Sequence, residues 1–537
     1  MSKPWVRALQ GGGLSLALSL ASPIGLAMAE DAQPVHGGTF VMAIDPEPAQ
    51  LNVTFHNQYA NAAVAANLFD GLLTYDADQK PQPGLATEWS VAPDGLSITI
   101  KLRPGVRWHD GKEFTSADVR YSALEVWKKV HPRGRVTFAP LTDVETPDPL
   151  TAIFRLERPA PVILSSLNVA EAQILPAHLY EGTDVRTNPV NLSPVGTGPF
   201  KFKEWKKGQY IELVRNPDYW DAGKPYLDRV IFRNIPDAAS RAAALETGEI
   251  LYLPFAGVPF SDVARLREDP SLVFEQRGYS YNAQVYFLAF NLRRDFVSNL
   301  KVRQAIAHAV DKQGLVDTVW YGVSQPVDSP IPPSLSTYYA KDKPEYPLDP
   351  AAAERLLDEA GFPRKADGTR FAIGLDLSPS ADAFVPAGEY LRQNLKKVGI
   401  DVKPIASDPP TYLKRVFTDY DFDVEIQGFS VLLDPEMGLT RLLWSKGASP
   451  GVPYVNAWGY ASPEMDRIIE GYQREVEPQR RVELFQEMQR AVLTDLPLVP
   501  LMDAPFFTLY NARVHGLDFD PDGARSSFKN VWLAAES

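Results

Sequence analysis

The 537-residue sequence contains no cysteine. This absence excludes disulfide bonds, thiolate metal sites, a cysteine nucleophile and a lipid-modified cysteine. Histidine is scarce as well, because the chain has only seven histidines and they are dispersed without the spacing typical of metal ligands. We therefore expect no metal site and no cofactor.

Motifs with a known catalytic or nucleotide-binding geometry are also missing. The sequence has no G-x-S-x-G turn, no Walker A loop and no H-E-x-x-H pair. The sequence shows no recognisable arrangement of catalytic residues, so we predict a protein that is not an enzyme. The alternative from another class is a secreted hydrolase that uses scattered carboxylates.

The N-terminal apolar run is too short to cross a bilayer, which takes roughly 20 residues. This run, Leu14 to Leu26, is interrupted by Ser, Pro and Gly, follows two basic residues, and ends at Ala27-Met28-Ala29. The pattern predicts a secretory signal peptide over residues 1–29, cleaved before Glu30. We expect a soluble periplasmic protein without direct membrane insertion.

Composition gives the next constraints. The formal net charge of −13 disfavours nucleic acid and anionic lipid as partners. A hydrophobic content of 45% with 23% charged residues is that of an ordinary globular chain. The length predicts two to four domains, and the 47 prolines are scattered as turn residues, which favours domains joined by several strands over a single linker.

The segment from Asn67 to Leu124 carries the clearest local pattern, NLFDGLLTYDADQKPQPGLATEWSVAPDGLSITIKLRPGVRWHDGKEFTSADVRYSAL. Alternation over Ser97 to Leu102, directly after the turn signal Asp94-Gly95, predicts a β-hairpin. Thr115 predicts the N-cap of a helix that reaches about Lys129. The segment is a scaffold without visible chemistry.

Later segments alternate between strand and helix patterns. A strand-rich block begins at Gly196, and strands and amphipathic helices alternate from about 285 to 495, which predicts a second α/β lobe. The last forty residues are too few for a domain, so we expect them to return and complete the first lobe. Near the end, Asp518-x-Asp520-x-Asp522-Gly523 copies half of a calcium loop, but Lys529 occupies the place of the required glutamate and Arg525 that of the usual apolar residue. We interpret this motif as an acidic surface turn.

Four blocks in the same order resemble the periplasmic solute-binding proteins of peptide-type ABC importers, extracellular solute-binding family 5, which includes dipeptide, oligopeptide and nickel types. The blocks are the segment from Asn67, VGTGPFKFKEWKKGQYIELVRNPDYW from Val195, FNLRRDFVSNLKVRQAIAHAVDKQGLV from Phe290, and YASPEMDRIIEGY from Tyr460 with DLPLVPL from Asp495. The resemblance implies an α/β, two-lobe periplasmic-binding-protein fold (class II-like, cluster C) with an extra domain inserted in the first lobe. The ligand would lie between the lobes.

The domain boundaries that this implies are as follows. Lobe I comprises 30–77, 196–280 and 500–537, the inserted domain comprises 78–195, and lobe II comprises 281–499. Hinges near 278–285 and 495–503 would allow the lobes to close on a ligand.

The resemblance also implies the function and the partners. We expect a monomeric receptor that traps a peptide or peptide-sized solute and delivers it to an inner-membrane ABC permease. A non-peptide solute such as an opine, a sugar conjugate or a metal chelate is the alternative within the same fold, as is a nickel or haem carrier.

Ligand-binding residues follow from the resemblance position by position, although each could equally be a core residue. Residues 57–59 would lie against the ligand, and residues 428–430 would pair with an extended peptide. The full set is Asn57, Gln58, Tyr59, Tyr281, Tyr286, Tyr412, Gly428, Phe429, Ser430, Asp434, Trp444, Asn456, Trp458, Phe506 and Phe507.

One departure from the family concerns charge. Peptide-binding relatives hold the α-amine of the ligand with an aspartate about four residues before the proline of an Asp-Pro or Glu-Pro pair, where this chain has Ser430 or Val431. A buried ammonium group without a partner is costly. Either Asp434, Glu425 or Asp423 takes over this role, or the ligand has no free α-amine.

Overall fold

The computed structural model describes residues 33–55 and 58–535. The predicted signal peptide, residues 1–29, and the predicted site residue Asn57 therefore lie outside the described residues. Among the residues that are described, no helix is long and apolar enough to cross a membrane. The fold below is that of the unit that begins at Val35.

The strands, numbered in chain order, are β1 Thr39–Ile44, β2 Leu73–Tyr75, β3 Pro81–Pro83, β4 Ala86–Val91, β5 Ser97–Leu102, β6 Leu141–Asp148, β7 Thr151–Leu156, β8 Phe200–Lys206, β9 Tyr210–Arg215, β10 Arg229–Asn234, β11 Tyr252–Leu253, β12 Leu272–Glu275, β13 Gln284–Phe290, β14 Phe371–Leu377, β15 Ile400–Ala406, β16 Val424–Ser430, β17 Leu498–Asp503, β18 Thr508–Asn511, β19 Val514–His515 and β20 Trp532–Leu533.

The α-helices are α1 Tyr59–Leu68, α2 Ser116–Tyr121, α3 Gly134–Thr137, α4 Ala177–Tyr180, α5 Ala238–Glu246, α6 Val263–Arg267, α7 Leu300–Ala309, α8 Lys312–Val319, α9 Pro350–Glu359, α10 Phe384–Lys396, α11 Pro409–Leu413, α12 Thr440–Leu443, α13 Pro463–Arg474 and α14 Pro478–Asp495. Two of them continue as π-helical turns, α2 into Ser122–Trp127 and α11 into Lys414–Thr418.

Local sequence signals account for many of these bounds. Asp94-Gly95 turns the β4–β5 hairpin with Gly95 at φ +69°, a conformation that glycine adopts at little cost. The Asp118 carboxylate accepts a hydrogen bond from the Thr115 backbone N–H at 3.0 Å, which fixes the start of α2. Asp349 caps α9, where Pro350 occupies the first turn.

The first lobe is built on a seven-stranded mixed sheet in the order β12-β18-β11-β1-β10-β9-β8. A four-stranded antiparallel sheet, β4-β5-β7-β6, lies between β1 and β8 in the sequence. Apolar residues of both sheets belong to one continuous hydrophobic core, which includes Phe40, Phe154 and Phe232. Residues between β1 and β8 therefore share the core of the first lobe.

The second lobe contains a five-stranded sheet in the order β15-β14-β16-β13-β17. β14 is parallel to both of its neighbours, whereas β13 is antiparallel to β16 and β17. The helices α7 to α10, α13 and α14 contribute to a separate core around this sheet. The structure thus has the two α/β lobes that the sequence predicts.

The chain passes between the two sheets at two places. β12 belongs to the first sheet and β13 to the second, so the first crossing lies at 276–283. The second crossing lies at 504–507, between β17 and β18. Leu498–Asp503, which contains the predicted start of the return at residue 500, is still paired with β13 of the second sheet.

Candidate functional site

The two crossing segments lie side by side and connect the lobes. Ala504 donates a backbone hydrogen bond to the carbonyl of Gln284 at 2.8 Å, and the hydroxyls of Tyr279 and Thr508 are 2.6 Å apart. An open cavity of about 560 Å³ is lined by residues of both segments, among them Tyr279 and Phe506. Space for a solute is therefore available beside the crossings.

Aromatic rings line the first-lobe side of these crossings. The ring of Phe255 lies 4.4 Å from Tyr59, 5.1 Å from Tyr279 and 5.3 Å from Phe506. Tyr59 and Phe506, both predicted site residues, are half-buried, and the buried hydroxyl of Tyr59 has no hydrogen-bond partner. Gln58, by contrast, is exposed. An apolar wall with an unused hydroxyl suits a ligand-binding surface.

A buried ion pair lies next to this wall. Glu171 is 2% exposed and accepts hydrogen bonds from Arg133, with Nε–Oε2 at 2.9 Å, and from the hydroxyl of Tyr281. Arg133 also donates to the Tyr281 hydroxyl at 3.1 Å. Burial opposes ionisation of Glu171, but the charge of Arg133 holds the pKa of Glu171 below its usual value. Tyr281 is thus a buried link in this network.

Two further arginines lie against aromatic rings, Arg525 beside this network and Arg441 beside the predicted strand segment. The Arg525 guanidinium lies 5.0 Å from the ring of Tyr281 and 5.6 Å from that of Phe255, and the Arg441 guanidinium lies 5.5 Å from the ring of Phe429. The Nε atoms of Arg441 and Arg525 are buried without a hydrogen-bond partner. These residues were not predicted from the sequence. The sequence offered one indication for Arg525, because it stands where a calcium loop would have an apolar residue.

The predicted strand segment 428–430 has one unpaired edge. On one side β16 pairs with β13 over its whole length, with Gly428 opposite Tyr286 and Ser430 opposite Gln284. On the other side β14 pairs with β16 only as far as Ile426. Beyond Ile426 no strand of the described residues covers this edge, which leaves backbone groups of Gln427–Ser430 available to an extended ligand.

Gly428 is required at this position because a Cβ atom there would lie 2.7 Å from the ring of Tyr286. Tyr286 is itself packed against Trp320 and Phe384, with ring centroids 5.8 and 4.9 Å away. Phe429 is buried and lies near Arg441. The structure therefore brings Gly428 and Phe429 to the site and gives Tyr286 a supporting position.

Two predicted aromatic residues of the second lobe surround Glu425. The carboxylate of Glu425 accepts hydrogen bonds from the Tyr412 hydroxyl at 2.5 Å, the Trp458 indole at 2.7 Å and the Gln427 amide at 2.8 Å. Burial raises the pKa of Glu425 to about 7. Tyr412 and Trp458 are fully buried in this network, so we assign them to the core beside the site.

Three other predicted residues also have core positions. Asn456 is buried and donates to the carbonyl of Tyr460 at 2.7 Å, while Trp444 is half-buried and packs against the core of the second lobe. Phe507 is fully buried and stacks on Phe274 with centroids 4.8 Å apart. These side chains support the fold around the cavity.

Asp434 has a different role from the one expected. Its carboxylate pairs with Arg481 at 2.7 Å and accepts hydrogen bonds from the Tyr472 hydroxyl at 2.9 Å and the Glu436 backbone N–H at 2.8 Å. The side chains of Asp434 and Arg481 are 4% and 8% exposed. Since this carboxylate is already neutralised inside the second lobe, it is not free to hold a ligand ammonium group.

The other two candidate carboxylates also have partners within the protein. Glu425 accepts hydrogen bonds from Tyr412, Trp458 and Gln427. Asp423 accepts a hydrogen bond from the backbone N–H of Gly374 at 2.8 Å and lies 3.7 Å from Arg294. The arrangement favours the second option, a ligand without a free α-amine.

The lobes are also in direct apolar contact, through residues on either side of Asp434 in the sequence. Leu432, Leu433 and Met437 follow β16 of the second lobe, yet they belong to the hydrophobic core of the first lobe. The hydroxyl of Ser166 donates to the sulfur of Met437 at 3.0 Å. The structure is therefore closed at this position.

The calcium-like motif is not an exposed turn. Burial raises the pKa of Asp522, and its carboxylate accepts a hydrogen bond from the amide of Asn168 at 3.1 Å. Asp520 caps its own turn through Ser526 at 2.5 Å. In the part of the chain that the structure describes, no group of three or more His, Asp or Glu residues is placed to hold a metal ion.

Comparison with known proteins identifies close similarity over most of the chain. Residues 80–451 match a family model described as "Bacterial extracellular solute-binding proteins, family 5 Middle". Heme-binding protein A of Haemophilus influenzae is 30% identical over 82% of this chain and 82% of its own, and glutathione-binding protein GsiB of Salmonella paratyphi A is 28% identical over 95% and 96%. The oligopeptide-binding protein AppA of Bacillus subtilis, solved with a nonapeptide, superimposes with a TM-score of 0.77 at 26% identity and covers 94% of this chain and 100% of its own.

Proposed function

Because the chain belongs to the bacterial extracellular solute-binding proteins of family 5, we propose that it is the receptor of an ABC importer and holds a peptide-sized solute between its two lobes. One observation carries this proposal. The unpaired edge of β16 and the aromatic wall around Phe255 belong to different lobes, and the wall lies beside the buried network of Arg133, Glu171 and Tyr281, because the Arg525 guanidinium is 5.6 Å from the ring of Phe255 and 5.0 Å from that of Tyr281.

The relatives named above carry names that refer to haem, glutathione or oligopeptides, so membership of the family does not fix the solute. The structure supports a peptide-sized solute on two grounds. The strand edge at Gln427–Ser430 suits extended backbone, and an apolar wall with few polar groups tolerates varied side chains. We propose Tyr59, Phe429, Ser430 and Phe506 as contacts among the predicted residues.

We further propose that the protein acts as a monomer in the periplasm and passes its solute to an inner-membrane permease. Removal of residues 1–29 is part of this proposal. Intact-mass measurement of protein recovered from the periplasm should give a chain that begins at Glu30. A chain that retains its N-terminus and stays with the cytoplasmic fraction would contradict the location.

The receptor function is tested by what the protein carries. Protein purified from the periplasm is unfolded in denaturant, the released small molecules are identified by mass spectrometry, and the refolded protein is titrated with this released fraction. A solute at 100 times its dissociation constant should stabilise the fold by about 2.7 kcal/mol. Small-angle scattering should show compaction in the same titration.

A variant pair makes the test specific to the site. Phe506→Ala removes a half-buried ring from the cavity and should weaken the stabilisation by the released fraction, whereas Val385→Ala, at a side chain that is 53% exposed on α10, should leave it unchanged. Absence of any released molecule, together with no compaction, would reject the receptor function. A metal detected by elemental analysis would instead favour a metal-chelate carrier.

A further inference from the structure

The cavity beside the crossings lies apart from the unpaired edge of β16. In the second sheet β16 and β17 flank β13 on opposite sides, and the chain around Gln325 pairs with the outer edge of β17. The backbone N–H of Asp503 donates to the carbonyl of Gln325 at 3.1 Å. Among the described residues, those that line the cavity include 322–325 but not Gln427–Ser430. The cavity and the strand edge are therefore on opposite sides of the crossing strands.

Both crossings and both lobes contribute to the wall of this cavity. Gln276 and Arg277 follow β12, which is an end strand of the first sheet, and Asp503 and Ala504 stand at the start of the second crossing. The second lobe adds residues 322–325, which come after α8. Since β12 and β17 stand at the ends of their sheets, the cavity lies along the outer side of the crossings.

Several polar side chains on this wall have hydrogen-bonding capacity that the protein leaves unused. The Oδ1 atom of Asp503 is buried without a partner, while Oδ2 accepts a hydrogen bond from the Gln325 amide at 3.0 Å. Within the described part of the chain, the side chains of Ser280, Gln284 and Ser334 form no hydrogen bond. One buried acceptor and three further polar groups thus line a single space. A polar ligand would satisfy them.

The charges of the wall favour a neutral occupant. Arg277 is paired with Glu275 at 2.5 Å, and the exposed Arg267 stacks on the ring of Phe274, with its guanidinium 3.9 Å from the ring centroid. An anion in the cavity would be repelled by Asp503, and a cation would be repelled by Arg267. Burial raises the pKa of Asp503 to about 6, and an O–H donor on Oδ1 would favour the ionised carboxylate.

Aromatic rings complete the wall. The rings of Tyr279 and Phe506 have centroids 5.5 Å apart, and the ring of Phe519 lies 4.6 Å from the Arg277 guanidinium. The apolar face of a sugar ring packs on an aromatic ring, while its hydroxyl groups pair with carboxylate, amide and hydroxyl side chains. Both kinds of surface are present here. The volume of about 560 Å³ is within the range of about 300–1,000 Å³ of small-molecule sites.

We propose that this cavity is a second binding site, separate from that of the transported solute, and that it takes a neutral monosaccharide or disaccharide. Asp503 accepts hydrogen bonds from the hydroxyl groups of the sugar, Gln284 and Ser334 supply donors, and Phe519 covers the apolar face of a ring. This site goes beyond the proposed receptor function and does not depend on the identity of the solute.

The first experiment determines which class of molecule binds. Ligand-free refolded protein is titrated in a calorimeter with separate pools of neutral mono- and disaccharides, of amino acids and of sugar phosphates. Each pool is kept at low millimolar concentration, because concentrated sugars stabilise folded proteins in general. Saturable binding of saccharides supports the proposal. Binding of amino acids or sugar phosphates without saccharides overturns the neutral class, and no binding from any pool overturns the site.

The second experiment determines whether the two sites are separate. Protein loaded with the released solute is titrated with the saccharide that binds, and native mass spectrometry counts both ligands. Both molecules are expected on one chain. Displacement of one by the other overturns a separate site but leaves the receptor function standing. Failure of the receptor function gives no released solute and no compaction, and the saccharide titration of the empty protein then decides the proposal alone.

Variants connect saccharide binding to the cavity wall. Asp503→Asn removes the charged acceptor and should weaken binding about tenfold, and Ser334→Ala should weaken it about threefold. The matched control is Ser193→Ala, at an exposed serine outside the cavity, where affinity should not change. Unchanged saccharide affinity in Asp503→Asn overturns the assignment. If that variant fails to fold, Ser334→Ala at an exposed side chain gives the decision.

Discussion

The substitution Asp434→Ala should strongly destabilise the second lobe, but it should leave the affinity for the solute unchanged. In the folded protein the Asp434 carboxylate neutralises Arg481 at 2.7 Å, with both side chains almost fully buried. Truncation would leave the Arg481 guanidinium buried, with only the carbonyls of Tyr472 and Glu475 as acceptors. Breaking a buried ion pair by removing one partner typically costs about 3–5 kcal/mol.

A neighbouring carboxyl should moderate this loss. One oxygen of Glu436 is buried without a hydrogen-bond partner, and burial together with the charge of Asp434 raises the pKa of Glu436. When the charge of Asp434 is removed, Glu436 ionises more readily and offers Arg481 a partial replacement. We therefore expect a loss at the lower end of that range, about 3 kcal/mol.

The loss is measured by urea unfolding at pH 7, with the variant compared to the wild type at equal slope. Asp421→Ala is the matched control, because Asp421 pairs with Arg294 and Arg415 but is 60% exposed, and exposed pairs contribute about 1 kcal/mol or less. The double variant Asp434→Ala with Arg481→Met should recover part of the loss, since it removes the stranded charge together with its partner.

The Asp434→Ala variant also distinguishes two possible roles of Asp434, which are the ion pair with Arg481 and the binding of a ligand amine. If the carboxylate serves only Arg481, the stabilisation by bound solute remains close to that of the wild type. Loss of that stabilisation in a variant whose ligand-free stability is unchanged would refute this reasoning and return Asp434 to the role of amine partner. A loss of stability below about 1 kcal/mol would show that Arg481 is not stranded.

Three further predictions follow from single contacts. Gly428→Ala places a Cβ atom 2.7 Å from the ring of Tyr286, and we expect a loss of about 1–3 kcal/mol in urea unfolding; a loss within 0.5 kcal/mol, roughly that of an ordinary surface change, would contradict it. Tyr281→Phe removes the hydroxyl that bonds Glu171 and Arg133, which should cost about 1.5–3 kcal/mol by the same assay, while Tyr321→Phe at an exposed ring should cost nothing measurable. Glu425 has its pKa raised from 4.5 to about 7 in the folded state, so its contribution is complete below pH 4.5 and is lost as pH rises through about 7; Glu425→Gln should shrink the stability difference between pH 5 and pH 8 by up to about 3 kcal/mol, and an unchanged difference would show that Glu425 is ionised at both values.

Local structure could be predicted from the sequence because the relevant signals are short in range. The hairpin at Asp94-Gly95 and the helix start at Thr115 each depend on residues within three or four positions. The α/β class and the two lobes followed from the alternation of such elements and from the ordered blocks. The predicted hairpin and helix start are present in the structure.

The polar contacts of the site could not be predicted in this way, since their partners are far apart in the sequence. Asp434, which follows β16, pairs with Arg481 of α14, 47 residues away, and Tyr281 donates to Glu171 across 110 residues. The sequence around Asp434 and Pro435 gave no indication that Arg481 neutralises the Asp434 carboxylate. The position of Arg525 beside the Tyr281 ring was equally hidden, because Arg525 stands in a motif that the sequence analysis interpreted as an acidic surface turn.

The burial of Leu432, Leu433 and Met437 in the core of the first lobe has a consequence for the transport cycle. Separation of the lobes would carry these three side chains into water, and each is worth about 1.5–3 kcal/mol when fully buried. For the receptor proposed above, spontaneous release of the solute should therefore be slow, with a long residence time. Within that proposal we expect unloading to require a permease that can cover or replace this lost apolar contact.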